Sequence, residues 1–101
     1  MITIDTLRSL CNDDAIELTL HQLERMRQRG IEYEEMANAI SVGEIIEQYP
    51  TDYPFPSCLV LGNGLHVVCG VDSGTLFAIT AYRPNSEKWE DDLRTRKGGN
   101  K

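Results

Sequence analysis

The sequence predicts an α+β fold in which two or three N-terminal helices pack on one face of a four-stranded antiparallel sheet. Helix caps and stop signals occupy the first half of the chain, and runs rich in Val, Ile and Leu, separated by short turn signals, occupy the second half. The length of 101 residues fits one domain with one hydrophobic core. We therefore predict a single domain over residues 1–97, followed by a flexible tail over residues 98–101.

The first helix is predicted to be short. Thr3 or Asp5 caps its N-terminus, and the helix runs through Cys11. The segment Asn12–Asp14 then breaks it, because these side chains compete for backbone hydrogen bonds. Residues Ile16–Leu18 form either a short strand or the lead-in to the next helix.

The second helix is predicted to run from about Leu20 to Arg29. Thr19 and Gln22 fit a capping box, and Gly30 supplies the left-handed residue that commonly ends a helix. Apolar residues at helical spacing predict a buried stripe formed by Leu20, Leu23 and Met26. The opposite side of the helix carries His21, Arg25 and Arg29.

A third helix is predicted from about Tyr33 to Ser41, and Gly43 stops it. Its side chains predicted to enter the core are Met36, Ala37 and Ile40. The three helices together supply the layer that must cover an apolar sheet.

The second half of the chain is predicted to form a β-meander. Its four strands are Glu44–Tyr49, Ser57–Leu61, Leu65–Val71 and Thr75–Arg83. The prolines between the first two strands enforce an extended loop. Asn63-Gly64 is the signal of a two-residue hairpin, and Asp72-Ser73-Gly74 suits a three-residue hairpin.

These turn lengths predict the register, and the register sorts the side chains by face. Position 61 faces 66 around the first turn, while 66 faces 80 and 67 faces 79 around the second. The face predicted to lie beneath the helices consists of Cys58, Val60, Val67, Cys69, Val71, Phe77 and Ile79. The other face consists of Leu61, His66, Thr80 and Tyr82.

Two groupings in this register leave alternatives open. His66, Thr80 and Tyr82 form either a cross-strand polar cluster on a solvated face or a small catalytic or recognition patch. Cys58 and Cys69 oppose each other, so they are either two small core residues or a cross-strand disulfide pair.

Charge is distributed unevenly along the chain. The 10 Lys and Arg residues against 16 Asp and Glu residues give a net charge of −6, which excludes a uniformly basic nucleic-acid binder. Residues 31–57 contain acids and no Lys or Arg, whereas residues 21–30 and 83–101 carry a basic excess. The two basic segments either belong to a solvated surface or meet to form an anion site. We expect the segment from Glu32 to Asp52 to contact a basic protein partner.

Several functional classes are excluded by what the sequence lacks. No apolar run approaches the ~20 residues that span a bilayer, and the N-terminus is not a signal peptide, so no membrane partner is expected. Three cysteines without a CxxC spacing favour the cytoplasm. Glycine-rich nucleotide loops are absent, and His21 and His66 make a weak zinc pair, so no cofactor and no metal are expected.

An ordered set of short motifs runs through residues 15–97. It consists of His21-x-x-x-Arg25-Met26-x-x-Arg29-Gly30-Ile31, Gly43-Glu44-Ile45-Ile46-Glu47-x-Tyr49, the proline-containing loop, Leu65-His66-Val67-Val68, Thr80-x-Tyr82-x-Pro84, Lys88-Trp89, Arg94 and Arg96. Together these motifs resemble the bacterial Domain of Unknown Function 4258 family. The N-terminal helix lies outside the resemblance.

The resemblance implies a fold and an activity. The family is grouped by similarity with RelE-like and barnase-like toxin domains, which pack N-terminal helices on a four-stranded antiparallel sheet. Toxins of this kind are encoded beside zinc-finger helix-turn-helix antitoxins, so the resemblance implies an antitoxin protein and RNA as partners. The implied reaction is metal-independent RNA cleavage, in which the ribose 2′-OH attacks the adjacent phosphorus.

The resemblance also implies roles for individual residues. His66 would transfer the proton, because imidazole titrates near neutrality, and His21 would be a second acid or base or a structural partner. Arg25 or Arg29 would hold the scissile phosphate through its planar guanidinium. Tyr82 would stack on a base or donate to a phosphate oxygen.

The C-terminal segment supports two interpretations. Lys88 and Arg96 complete the predicted substrate-binding set, or the cations Lys88, Arg94, Arg96 and Lys97 form a solvated, partly disordered tail. Trp89 is predicted to anchor this segment by packing. Thr80 belongs to the catalytic positions that the resemblance implies.

A second function is compatible with the same sequence, namely a non-catalytic protein-binding module that keeps the fold. The acidic balance of the chain favours this module. The grouping of His66, Thr80 and Tyr82 favours the ribonuclease.

Overall fold

The computed structural model describes residues 1–12 and 16–97, so the predicted tail at 98–101 and the predicted break at Asp13 and Asp14 lie outside the described residues. The helices in this part of the chain are α1 Ile4–Asn12, α2 Leu20–Gln28 and α3 Tyr33–Val42. The strands are β1 Ile16–Glu17, β2 Glu44–Tyr49, β3 Ser57–Gly62, β4 Leu65–Asp72 and β5 Thr75–Tyr82. None of the helices in these described ranges is long and apolar enough to cross a bilayer.

Within the described residues, five strands form one sheet in the order β1-β5-β4-β3-β2. The four longer strands pair antiparallel, as the meander predicts. The edge strand β1 instead runs parallel to β5, where Ile16 pairs with Leu76 and Glu17 with Phe77. The α+β class is therefore confirmed, whereas the prediction of four strands, all antiparallel, is wrong. The short strand is the correct alternative for residues 16–18, because it pairs backbone groups that β5 would otherwise leave open at its edge.

Threonine side chains cap the first two helices. Thr3 Oγ1 accepts from the N–H of Thr6 at 3.2 Å, so Thr3 rather than Asp5 caps α1. Thr19 Oγ1 accepts from the N–H of Gln22 at 3.0 Å. Gln22 does not complete the predicted capping box: it is 4% exposed, and its Nε2 has no partner among the described residues.

The end of α2 is closed as predicted. Gly30 adopts a φ of 70°, and the N–H of Ile31 bonds to the carbonyl of Met26 at 2.9 Å. This pair of features is the Schellman ending of a helix.

The core lies between the helices and one face of the sheet. Its fully buried members from helices are Leu7, Met26, Met36, Ala39 and Ile40. Its fully buried members from β3 and β4 include Cys58, Val60, Val67 and Cys69, all predicted on this face. Cys58 and Cys69 pair across the two strands as reduced thiols, so the core alternative applies in this structure.

The buried stripe predicted for α2 is wrong at two of its three positions. Met26 is buried, but Leu20 is 83% exposed and Leu23 is 38% exposed. The buried side chains of α2 are instead Gln22 and Met26, four residues apart, so the buried side of the helix is rotated away from the predicted stripe.

The turn between β4 and β5 differs from the prediction. Asp72 pairs with Thr75, which leaves Ser73 and Gly74 as a two-residue turn with φ values of 52° and 78°. The shorter turn moves the register by one residue relative to the prediction. A bulge at Ile79 then moves it by one more.

A shift of one residue exchanges the faces of a strand, and this happens in the first half of β5. The residues of β5 that lie in the core are Leu76, Ala78 and Ala81. Phe77 and Ile79 were predicted there, but Phe77 lies on the second face and Ile79 is exposed. Phe77 stacks on Phe55 with 4.8 Å between ring centroids, and Phe55 covers Gly70 so closely that a side chain at Gly70 would collide with it.

Candidate functional site

Four residues lie in one row across the second face of the sheet, the face that the helices do not cover. Register pairs join Glu44 to Leu61, Leu61 to His66, and His66 to Tyr82. The predicted pairing of His66 with Thr80 is wrong, because the two shifts in β5 add up to two residues. Thr80 stays on the same face, two residues before Tyr82, and pairs with Val68.

The chain after β5 folds back over this row. We name residues 84–97 the C-terminal strap. Trp89 and Arg96 form an antiparallel bridge within it, and the Asp92 carboxylate closes the turn by accepting from the N–H of Thr95 at 3.0 Å. The segment therefore packs on the sheet through Trp89, while the cations Lys88, Arg94, Arg96 and Lys97 are exposed, as the solvated alternative predicts. Trp89 is 3% exposed, which confirms its prediction as the packing anchor.

His66 is fully buried beneath the strap, and both of its ring nitrogens are engaged. Nε2 lies 2.6 Å from the carbonyl oxygen of Leu93, which can only accept, so Nε2 carries the proton. Nδ1 lies 3.2 Å from the Tyr82 hydroxyl and, in the neutral ring, accepts from it. Trp89 packs edge-on against the ring, with 4.5 Å between centroids. The surroundings thus select one tautomer and direct Nδ1 at Tyr82.

Burial changes the titration of both partners. Desolvation lowers the pKa of His66 from 6.5, although the bond to Leu93 and the charge of Glu47 act in the opposite direction. Desolvation also raises the pKa of Tyr82 above 10.0. At neutral pH the pair is therefore a neutral imidazole that accepts a hydrogen bond from a neutral phenol.

Glu47 reaches the second face through a bulge in β2, where Ile46 is the extra residue. Two hydrogen bonds of 2.9 Å join its carboxylate to the guanidinium of Arg96, and the Tyr49 hydroxyl donates to the same carboxylate. The hydrogen bond from Arg96 is the main reason that the pKa of Glu47 is lowered from 4.5. Arg96 also lies over the ring of Trp89, 4.6 Å from its centroid. Strap and sheet are thus joined by charge as well as by packing.

A pocket of about 410 Å³ lies between the end of β5 and the strap. We name it the cationic pocket. Its lining residues are Tyr82, Arg83, Asn85, Lys88, Trp89 and Arg96. Three of the six carry a positive charge, and a fourth is the phenol that bonds to His66.

The three cations of the pocket differ in their partners. Arg83 pairs with Glu35 at 3.0 Å, and Arg96 pairs with Glu47. Lys88 has no carboxylate partner among the residues that the structure describes. The chain is acidic as a whole, yet it gathers cations here around an opening large enough for an anionic group.

The predicted site residues fall into three groups. Those brought together at the cationic pocket are His66, Tyr82, Lys88 and Arg96. Arg29 lies beside Thr80, donating to its hydroxyl at 3.3 Å and to the carbonyl of Ala81 at 2.8 Å. His21 and Arg25 lie on the exposed side of α2, as predicted, and outside the lining of the pocket.

The two basic segments touch, because Arg83 donates to the carbonyl of Gly30 at 3.3 Å. The acids predicted to contact a basic partner are in part engaged within the chain. Their ion pairs are Glu35–Arg83, Glu44–Arg94 and Glu47–Arg96. Contact of the remaining acids with a separate basic protein stays a prediction.

Sequence reasoning assigned no site role to Glu47, Asn85 or Leu93. Glu47 occurs in a family motif, but the bulge that turns it to this face has no signature in the sequence. Leu93 acts through its backbone carbonyl. Because every residue has this group, the residue type at position 93 does not indicate the contact.

The arrangement offers cationic donors for an anion and a phenol backed by a neutral base. In residues 1–12 and 16–97, no group of three or more His, Cys, Asp or Glu side chains converges in a way that would hold a metal ion. The chemistry that these side chains supply directly is anion binding and proton transfer.

Comparison with known proteins gives a family assignment. The family model DUF4258, described as a domain of unknown function, matches residues 18–83. The matched span includes His66 and Tyr82 and ends where the strap begins. It is narrower than residues 15–97, the span over which the motifs resemble the family. No curated protein and no solved structure matches the chain.

Proposed function

Because the chain belongs to the DUF4258 family, a domain of unknown function, we propose its activity from the site itself: metal-independent cleavage of RNA at the cationic pocket. The observation that carries the proposal is the hydrogen bond from Tyr82, on the pocket wall, to the buried neutral imidazole of His66. A phenol alone is a poor base at neutral pH. The hydrogen bond lets Tyr82 pass its own proton to Nδ1 of His66 while its oxygen accepts a proton from the substrate.

The proposed reaction conserves protons. The ribose 2′-oxygen bonds to the adjacent phosphorus and the bond from phosphorus to the 5′-oxygen breaks, leaving a 2′,3′-cyclic phosphate and a 5′-hydroxyl. Tyr82 takes the 2′-OH proton while its own proton moves to Nδ1 of His66. The reverse transfer delivers a proton to the departing 5′-oxygen, so the pair returns to its starting state.

The cations stabilise the negative charge that develops at phosphorus. Lys88 is the phosphate contact, because its ammonium group has no carboxylate partner in the described part of the chain. Arg96 is held in place by Glu47 and Trp89 and presents its remaining donors to the pocket. Arg29, beside Thr80, extends the cationic surface towards a neighbouring phosphate.

In this proposal the chain is a RelE-like toxin of the bacterial cytoplasm, and a zinc-finger helix-turn-helix antitoxin neutralises it. Exposed acids such as Glu34 offer a surface to a basic face of the antitoxin. Reversing the charge of Glu34 should slow that association and weaken its salt dependence. A reading frame for such an antitoxin beside the gene would support the pairing.

The test is cleavage of mixed RNA in the presence of a metal chelator. Tyr82→Phe and His66→Gln should each lower kcat by about 10²–10⁴, the usual contribution of proton transfer. Lys88→Ala should raise KM instead. Tyr53→Phe, which removes an exposed hydroxyl, and Arg25→Ala, which lies outside the pocket, should cleave like the unchanged protein.

Equal rates for the unchanged protein, Tyr82→Phe and His66→Gln would overturn the assignment. A growth assay gives a second readout, since induced unchanged protein should slow growth and induced His66→Gln should not. A circular dichroism spectrum of each variant shows whether the fold is retained.

The complete burial of His66 favours a second candidate, the non-catalytic binding module. In that case the bonds from His66 to Tyr82 and Leu93 serve only to tie the strap to the sheet. Folded, unchanged protein that binds the antitoxin but cleaves no RNA at high concentration would establish this candidate over the ribonuclease.

A further inference from the structure

The strap meets His66 at a strained residue. Leu93 has a φ of 61°, a left-handed conformation that residues with a branched side chain rarely adopt. Its carbonyl oxygen is the acceptor for Nε2–H of His66. The turn around it is fixed by the Asp92 carboxylate, which accepts from the N–H groups of Arg94 at 2.9 Å and Thr95 at 3.0 Å. Strain of this kind persists where the surrounding contacts impose it, and it concentrates at functional positions.

Two ion pairs hold the strap to β2. The pair of Arg96 with Glu47 adjoins the cationic pocket. The pair of Arg94 with Glu44 does not line the pocket, and both of its side chains are about half exposed. We name Glu44–Arg94 the latch pair. Arg94 directly follows Leu93, so the latch pair acts on the residue whose carbonyl meets His66.

We propose that the strap is a positioning element: closed by the latch pair, it sets the Leu93 carbonyl against His66 and so holds the imidazole with Nδ1 directed at Tyr82. The effect of the strap on RNA cleavage rests on the proposed function, whereas its effect on the orientation of the His66 ring does not. When the strap is open, the imidazole is hydrated and exchanges its proton between both nitrogens. Tyr82 then has no fixed acceptor. Glu44, Leu93 and Arg94 are positioning residues, since none of them lies at the reacting atoms.

The chain contains one tryptophan, Trp89, and this residue lies in the strap, so its fluorescence reports closure. The variants are Arg94→Glu and Glu44→Arg, which put like charges at the latch, and the double variant that exchanges the two charges. The matched control is Arg27→Glu, which breaks the exposed pair with Glu24 on α2. The measurements are acrylamide quenching of Trp89 and the ¹⁵N chemical shifts of the His66 ring.

Each single reversal should raise the quenching constant of Trp89 about threefold, because it replaces an attraction between residues 44 and 94 by a repulsion. It should also replace the single-tautomer shifts of His66 by averaged ones. The double variant should restore both readouts, and Arg27→Glu should change neither. RNA cleavage should fall in the single variants and recover in the double variant.

Protected Trp89 and unchanged His66 shifts in both single variants would overturn the role of the latch pair. An open strap with His66 still held as the Nε2–H tautomer would overturn the positioning role. Neither readout involves RNA. If the unchanged protein cleaves no RNA, the proposed function fails by itself, and the tryptophan and histidine measurements still decide the inference about the strap.

Discussion

The hydroxyl of Tyr82 lies 3.2 Å from Nδ1 of His66, and the two residues face each other directly across β4 and β5. The bond has a single direction, because Nε2 of the same ring already gives its proton to the carbonyl of Leu93. His66 is thus buried, neutral and hydrogen-bonded at both nitrogens. A proton added to its ring would go to Nδ1, the atom that accepts from Tyr82, so the charge of His66 and the closed strap are linked.

Stability should fall in mildly acidic solution because of His66. Its pKa is lowered from 6.5 in the folded chain, so below that pH the unfolded chain binds a proton that the folded chain resists. The contribution is complete above pH 6.5 and is lost as the pH falls through the lowered pKa. Denaturant unfolding between about pH 7.5 and pH 5 should therefore show a declining free energy of unfolding.

The variant His66→Gln should flatten that decline, while His21→Gln, which removes an exposed histidine, should keep it. A decline that is the same in His66→Gln would assign the effect to another group. The pKa of Glu47 is also lowered, but from 4.5, so its contribution is lost at a lower pH than this window.

The orientation of α2 can be tested by removing one side chain from each side of it. Met26→Ala should reduce the free energy of unfolding by about 2–5 kcal/mol, because it opens a cavity in the core. Leu20→Ala should change it by less than about 0.5 kcal/mol, because Leu20 is exposed. Similar losses at both positions, measured by denaturant unfolding, would contradict this placement of the helix.

The ion pair between Glu47 and Arg96 should contribute to stability more than an ordinary surface pair does. Glu47 is 23% exposed and makes two hydrogen bonds to the guanidinium, so Glu47→Gln should cost about 1–2 kcal/mol. The matched control Glu24→Gln breaks an exposed pair with Arg27 and should cost no more than about 0.5 kcal/mol. Equal costs would mean that Arg96 holds the strap through Trp89 alone.

The cysteines that face each other in β3 and β4 should resist alkylation in the native protein. Burial raises the pKa of Cys58 to about 11 and raises that of Cys69 as well. At pH 8 roughly one Cys58 in a thousand is then a thiolate, the form that reacts. Mass spectrometry after iodoacetamide treatment should find both residues unmodified until denaturant is added. Rapid modification of either one without denaturant would show that β3 and β4 open locally.

Local signals in the sequence predicted much of the fold. Thr19 and Gly30 act within one turn of α2, and Asn63-Gly64 determines the β3–β4 register by itself, so each could be interpreted without knowing the rest of the chain. The buried side of α2 could not be predicted in this way, because one of its two buried residues is the polar Gln22, while the apolar Leu20 and Leu23 are exposed.

The face of the sheet that carries Tyr82 was predicted correctly because two errors in the predicted register of β5 cancel. The turn at Ser73-Gly74 and the bulge at Ile79 each move β5 by one residue. Two shifts of one residue restore the side-chain alternation, so the predicted face of Tyr82 is correct although its predicted neighbour is not. The packing of Trp89 was predicted, but the contact of the strap with His66 was not, because that contact is made by the backbone carbonyl of Leu93.

The bulge in β2 determines which face of the sheet carries the acid at position 47. If β2 and β3 paired regularly with Ile46 kept, Glu47 would lie opposite Cys58, and its carboxylate would enter the apolar core. A relative that lacks Ile46 would instead have a regular ladder in which the acid still lies opposite Leu59 and faces the strap. The extra residue and the acid can therefore be inherited separately. Glu47 and Arg96 should be inherited or lost together, because either one alone loses its ion-pair partner, and the sequences of relatives can show this.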